Sequence, residues 1–222
     1  MTPVVLEEIL DFIGPALAEA PRLLEVGCGR GAVARALAAR GREVTAIDLA
    51  LPEDATGARF VAADFLAFEE ARSFDAILFV TSLHHIPPGR AVERAAALLR
   101  RGGLLVAEEF DLAAPDVATA RWYYAMQERL ARAGRFPREE IRGDDSTPPL
   151  ARWREEHAHE PPLATGAEML AAIGTRFSTE RAGRGPYLWR SVGDRGVLER
   201  ERRGIASGRL EPVGLRIVAR RR

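Results

Sequence analysis

The chain has 222 residues, 47% hydrophobic and 29% charged, enough to bury one α/β core with a small cap and too few for two full domains. Its formal net charge is zero, with 32 basic against 32 acidic residues, so composition supplies no broad basic face for a polyanion. The absence of lysine excludes a catalytic lysine, and the single cysteine, Cys28, excludes internal disulfides and zinc–thiolate clusters.

Residues 4–20 place Val5, Ile9, Phe12, Ile13 and Leu17 at helical spacing, with a break or restart expected at Gly14-Pro15. This start is acidic and amphipathic, without the basic lead and continuous apolar run of a signal peptide. No stretch approaches the length of a membrane span. The expectation is a soluble cytoplasmic protein, monomeric or homodimeric.

Residues 22–26 read as a short buried strand that ends in glycines. Residues 32–40 are alanine-rich and helical, with Gly41 as the stop. A second strand, 43–48, ends on Asp48; a third, 59–63, is followed by Asp64; a fourth, 74–80, reads FDAILFV and is expected to be fully buried. A helix over 90–101, closed by Gly102-Gly103, leads to a fifth strand over 104–108. Strands alternating with helices predict a parallel sheet with right-handed crossovers. Ligands of such sheets lie outside the carboxyl ends of the strands, which is where the polar residues of this chain fall.

Beyond Asp111 the pattern changes. Residues 115–134 predict an amphipathic helix carrying Trp122, Tyr123, Tyr124 and Met126; residues 136–162 read as loop with short helical pieces; residues 165–173 read as a helix. Residues 176–192 and 212–220 look strand-like, with a polar, glycine-containing stretch between, and would complete a mixed sheet. The chain is thus expected to be one α/β domain over 1–222. Its parts are a helical segment (1–20), a ligand-binding core (21–111), an insertion (112–172) and the terminal strands of the sheet (173–222).

The loop Glu25-x-Gly27-Cys28-Gly29-x-Gly31 joins a strand to a helix. Glycines there allow a tight turn and let a ligand lie against bare main chain. A dinucleotide fold shares this much, but two features depart from it. The spacing is G-x-G-x-G, and the carboxylate of Glu25 lies two residues before the first glycine. An acid there repels a pyrophosphate and favours a ligand with an amine or sulfonium charge. Asp48, with Leu49 after it, stands where a carboxylate accepts ribose hydroxyls. Asp64 can accept from an exocyclic amine while Phe65 packs on the ring. A nicotinamide dehydrogenase would also use Asp48; Glu25 and the glycine spacing argue against one.

The turn VTSLHHI leaves the fourth strand toward the reacting end of such a ligand. The carbonyls of Val80 and Thr81 are candidate acceptors for its amine. His84 and His85 are candidate general bases near neutral pH; adjacent side chains diverge, and His85 is the preferred one.

The runs LLEVGCGRG, AIDLA, VAADFLAF, FDAILFVTSLHHI and LLRRGGLLVAEEF together resemble the class I, Rossmann-like S-adenosylmethionine-dependent methyltransferases, in particular the type 11 and type 12 methyltransferase domains. The resemblance covers about half the chain, from Leu23 to Phe110. It implies seven mostly parallel strands with the last antiparallel, helices on both faces, and S-adenosylmethionine as cofactor. It also implies that the glycine loop meets the methionyl part, Asp48 the ribose and Asp64 the adenine. The turn lacks the Asn/Asp-Pro-Pro-aromatic pattern of enzymes that methylate adenine or glutamine nitrogen, and no cysteine stands where a cytosine C5 nucleophile belongs.

The segment after the fifth strand is too long for an ordinary link, and the resemblance to small-molecule methyltransferases implies that it forms a lid over the acceptor, with Trp122, Tyr123 and Met126 as candidate pocket residues; the other reading is that they anchor their helix. His157 and His159 lack a third ligand, so no metal is expected. No nucleic-acid partner is expected, and Arg220–Arg222 reads as a solvated tail. The competing functions are an RNA or protein methyltransferase and a non-catalytic cofactor-binding protein.

Overall fold

The apolar runs of the N-terminal half form the expected strands. The computed structural model describes residues 1–143 and 145–222; Asp144, in the stretch read as loop, lies outside the described residues. β1 (Arg22–Val26) pairs in parallel with β2 (Glu43–Asp48) and β4 (Phe74–Val80), β2 with β3 (Arg59–Ala62), and β4 with β5 (Leu99–Phe110). β1 is buried along its whole length, the charged Arg22 and Glu25 included. With β6 (Phe177–Gly185) and β7 (Gly214–Arg221) the sheet has seven strands in the order 3-2-1-4-5-7-6. β7 runs against β5. Just past β5, Asp111 N–H donates to the carbonyl of Val213, just before β7 (2.8 Å), whereas Arg221 at the end of β7 reaches the Leu99 carbonyl where β5 begins.

Side-chain alternation along the strands serves both faces. Leu24, Ile77, Phe79 and Leu105 join one apolar cluster with Val92 of α3 (Pro88–Leu98) and Met169 and Ile173 of α6 (Gly166–Arg176). Leu23, Leu78 and Val106, their buried neighbours, point the other way. On that side α1 (Pro3–Ala16) meets α2 (Ala32–Ala38) and β5.

Two expected boundaries move. The helix predicted over 90–101 stops at Leu98, and β5 begins at Leu99. Gly102-Gly103 lies inside the strand, where the β4–β5 register shifts between Phe74 and Ala76. The glycine pair therefore makes a bulge, and the helix ends before it. The polar stretch between the last two strands holds a helix, α7 (Arg195–Ala206), capped by Asp194 accepting from Val197 N–H at 2.9 Å. Its buried stripe is Val197, Leu198, Glu201 and Gly204. A carboxylate and a glycine in the stripe hide the helical period from a hydrophobicity reading.

The chain divides into two compact units. Met1–Phe110, Ala164–Gly183 and Leu215–Arg222 form the first, which carries the sheet with α1, α2, α3 and α6. Asp111–Leu163 and Arg184–Gly214 form the second, with α4 (Val117–Arg132), α5 (Pro149–Glu156) and α7. The insertion expected over 112–172 is thus two separate excursions, and residues 164–172 belong with the sheet. In the second unit the Glu201 carboxylate accepts from the backbone N–H of Tyr187, Leu188 and Trp189 at 2.8, 3.0 and 2.8 Å. Burial pushes its pKa up and those three donors oppose the shift.

Candidate functional site

The loop after β1 turns on glycines in left-handed conformation. Gly27 has φ +71°, and a Cβ there would stand 2.5 Å from the Ser82 Cβ, so the loop is seated directly on the turn after β4. At Gly29, φ +51°, a Cβ would meet nothing within 4 Å; its main chain is bare. Gly27 and Cys28 donate to the Ile47 carbonyl at 2.9 and 3.1 Å, tying the loop to β2. Cys28 is buried, and desolvation pushes its thiol to about 12, which keeps it protonated and unreactive.

Asp48, at the carboxyl end of β2, is fixed by main chain. Its Oδ2 accepts from Gly29 N–H at 2.8 Å and its Oδ1 from Leu49 N–H at 2.7 Å. Each carboxylate oxygen has capacity for a further donor. Past β3, Asp64 accepts from Leu66 N–H at 2.9 Å, which closes a short turn. Phe65 packs edge-on against Phe79, centroids 5.5 Å apart at 84°. Gly27, Asp48, Leu49, Asp64, Phe65, Thr81 and His85 line one cavity of about 490 Å³ at these strand ends. Ser82, Ile86 and Pro87, which sequence reasoning did not single out, share its wall.

The third side is the turn after β4. Thr81 has φ +57°, uncommon for a β-branched residue, and donates its N–H to the Glu108 carbonyl at 2.9 Å. Ser82 Oγ donates to the Val26 carbonyl at 2.6 Å. Beneath them Glu109, 0% exposed, accepts from Ser82 N–H (2.8 Å) and Leu83 N–H (2.6 Å) and meets His84 Nδ1 at 2.7 Å. The adjacent histidines are thereby separated. His85 is exposed and on the cavity wall; His84 is 3% exposed, held by Glu109 and packed edge-on to Phe110 at 4.8 Å. His84 is therefore withdrawn as a candidate base. Sequence reasoning did not single out Glu109; two adjacent acids, Glu108-Glu109, near the end of an otherwise buried apolar strand are the signal that could have marked it.

Glu25 also departs from expectation. It is 2% exposed and absent from the cavity wall. The strand period turns it away from the Leu24–Val26 side, and the Ala34 N–H of α2 donates to it. Burial pushes its pKa to about 8, and Oε2 has no hydrogen-bond partner among the described residues. The carboxyl thus braces the loop from behind. Cys28, Gly29, Gly31 and Val80 likewise do not line the cavity.

In the second unit the aromatic run of α4 splits. Tyr123 and Met126 are buried, and desolvation pushes the Tyr123 phenol to about 12. Tyr124 donates to Glu156 Oε2 at 2.7 Å under the Arg152 guanidinium, 4.1 Å from its ring. Trp153 donates to the Leu112 carbonyl at 2.8 Å and stacks on His157 at 3.9 Å. Tyr123 is accordingly core, packed edge-on to Trp153 at 5.6 Å, and is corrected as a pocket residue. Trp122 is half-buried and, with Met126, lines a separate hollow. Among the described residues no group of three or more His, Cys, Asp or Glu is placed to hold a metal ion, and no helix is long and apolar enough to cross a membrane.

A glycine loop between β1 and α2, a pinned carboxylate ending β2, and a sheet whose seventh strand is reversed define the class I, Rossmann-like methyltransferase architecture. The chain belongs to the methyltransferase domain family, whose family model matches residues 2–143. It is 41% identical over 119 residues to the ubiquinone biosynthesis O-methyltransferase of Xanthomonas axonopodis pv. citri (strain 306), covering 47% of this chain and 48% of that protein. It is 33% identical over 112 residues to the enzyme of that name from Alkalilimnicola ehrlichii, covering 44% and 45%. The chain thus spans about half the length of the curated relatives it matches. The fold is shared with a 1,6-didemethyltoxoflavin-N1-methyltransferase of Burkholderia thailandensis solved with its substrate and S-adenosylhomocysteine. The TM-score is 0.58 at 19% identity, over 97% of this chain and 77% of that one. The N-methyltransferase NodS of Bradyrhizobium japonicum WM9, solved with S-adenosylhomocysteine, gives a TM-score of 0.56 at 15% identity, over 99% and 88%.

Proposed function

We propose that the chain is an S-adenosylmethionine-dependent methyltransferase acting on a small-molecule acceptor. The observation that carries the reading is the cavity at the strand ends. There Asp48 is held by two main-chain donors with lone pairs still open, beside Asp64, Phe65 and Gly27. That donor set suits an adenosyl group with an uncharged linkage: hydroxyls for Asp48, a ring edge for Asp64 and a ring face for Phe65. No cluster of cations is on the wall to meet a phosphate.

S-adenosylmethionine, when bound, supplies an electrophilic methyl group. Asp48 accepts the ribose hydroxyls, and Asp64 with Phe65 and Leu49 orients the adenine. The Thr81 carbonyl is the acceptor proposed for the amine. His85 takes the proton released by the acceptor's hydroxyl or amine. Glu25 acts through the loop by holding the start of α2. Relatives named O-methyltransferases make hydroxyl-bearing acceptors the first to try, and zero net charge favours a small acceptor over a polyanion.

The test is calorimetric titration with S-adenosylmethionine and S-adenosylhomocysteine. Both are expected to bind, and Asp48→Ala to weaken each at least about tenfold, the loss of one or two hydrogen bonds to a charged group. No heat with either ligand would refute the proposal.

A further inference from the structure

The second unit carries a hollow of its own between α4 and α7. A cavity of about 650 Å³ has Trp122, Arg200, Arg203 and Arg209 in its wall, and a smaller one of about 180 Å³ adds Arg129 and Met126. Trp122 and Arg200, both half-buried residues, line both hollows. The larger is of the size that holds small ligands.

Its charge is one-sided. Among the described residues no carboxylate pairs with Arg129, Arg200, Arg203 or Arg209, although Arg202 on the same helix pairs with Glu199 at 2.7 Å. Arg209 Nε donates only to Ser207 Oγ, at 2.9 Å. The one acid in the wall, Asp116, is already engaged as the α4 cap, accepting from Thr119 N–H at 2.7 Å. The three guanidinium groups of the larger hollow, Arg200, Arg203 and Arg209, repel one another, and Arg200 has lost part of its hydration without gaining a counter-ion. A bound anion relieves both. Guanidinium forks fit carboxylate and phosphate oxygens, and the indole face offers a stacking surface for a ring.

We propose that this hollow is a binding site for a small aromatic anion, a ring on Trp122 carrying a carboxylate or phosphate that sits between Arg200 and Arg203. The site is built entirely from second-unit residues and does not depend on the methyl-transfer reading.

The test uses the full chain and four probes: benzoate, phenyl phosphate, uncharged benzamide and inorganic phosphate. Saturable binding of benzoate or phenyl phosphate is expected, and whichever binds more tightly names the acid group. Arg200→Gln and Trp122→Leu are each expected to weaken it about tenfold or more. Arg202→Gln removes the same charge off the wall and is expected to leave it unchanged. If Arg200→Gln fails to fold, Arg203→Gln, at an exposed position, takes its place. The proposal is overturned if neither ring anion saturates, or if benzamide or inorganic phosphate binds as tightly. It is also overturned if Arg202→Gln weakens binding as much as the wall variants.

Discussion

Glu109 holds His84: its Oε2 lies 2.7 Å from His84 Nδ1, while its Oε1 takes the N–H groups of Ser82 and Leu83. One buried carboxylate thereby fixes three successive residues, and the exposed His85 follows from that geometry. Glu109→Ala leaves these donors buried without an acceptor, at about 1–3 kcal/mol each. The expected loss is several kcal/mol in denaturant unfolding, with weaker cofactor binding because Ser82 lines the cavity. Glu109→Gln keeps the shape and the acceptor for Ser82 and Leu83 N–H, but replaces a charged acceptor with a neutral amide and requires His84 to carry its proton on Nε2, so an intermediate loss is expected. A variant as stable as the parent would remove the brace from the account.

The two histidines separate by experiment. His85→Gln is expected to lower kcat about a hundredfold or more, the usual scale for a positioned base, with cofactor affinity and Tm nearly unchanged. His84→Gln is expected to do the reverse, lowering Tm first because its partner Glu109 is fully buried. Acceptors of graded acidity sharpen the comparison, since an already ionised phenol does not need the base. Equal kcat losses in both variants would contradict the assignment.

Glu25 predicts a pH dependence. Its folded pKa, about 8, is raised from the ordinary 4.5 by burial, so the folded chain holds a proton that the unfolded chain releases. The stability this group contributes is complete below pH 4.5 and is lost as pH rises toward 8. Glu25→Gln removes that titration. The variant's Tm is expected to gain on the parent's across this window and to level off above it. The scale is roughly 2–4 °C per kcal/mol for a chain of this length. A constant difference between the two proteins across pH would show that Glu25 is ionised in the fold.

Much of this was legible in the sequence because its signals are local. The strand ends at Asp48 and the acid after β3 follow from runs of a few residues, and the glycine spacing declares the loop. The brace was not legible, since Glu109 acts on residues 25–27 positions away. Glu25 was read for its charge when its place in the strand period mattered more: Leu24 joins the cluster under α3, and the next residue must face away. α7 escaped because its buried stripe includes Glu201, whose carboxylate is satisfied by backbone N–H groups brought in from residues 187–189. The division into two units depends on which segments return to the sheet, a property no local window contains.

Gly27 and Gly29 allow the loop's two tasks to be told apart. Both have positive φ, so alanine at either position carries a backbone cost of about 1–2 kcal/mol. At Gly27 the added methyl also collides with Ser82 at 2.5 Å, so Gly27→Ala is expected to lower Tm well beyond that and to disturb the turn that carries His85. At Gly29 the methyl meets no protein atom within 4 Å. Gly29→Ala is therefore expected to fold with only the backbone cost, while losing affinity for S-adenosylmethionine by about tenfold or more as the methyl occupies space proposed for the ligand. Thermal melts paired with calorimetry make the comparison. If Gly29→Ala binds the cofactor as the parent does, the ligand does not lie against this part of the loop, and the placement proposed for its methionyl end must change.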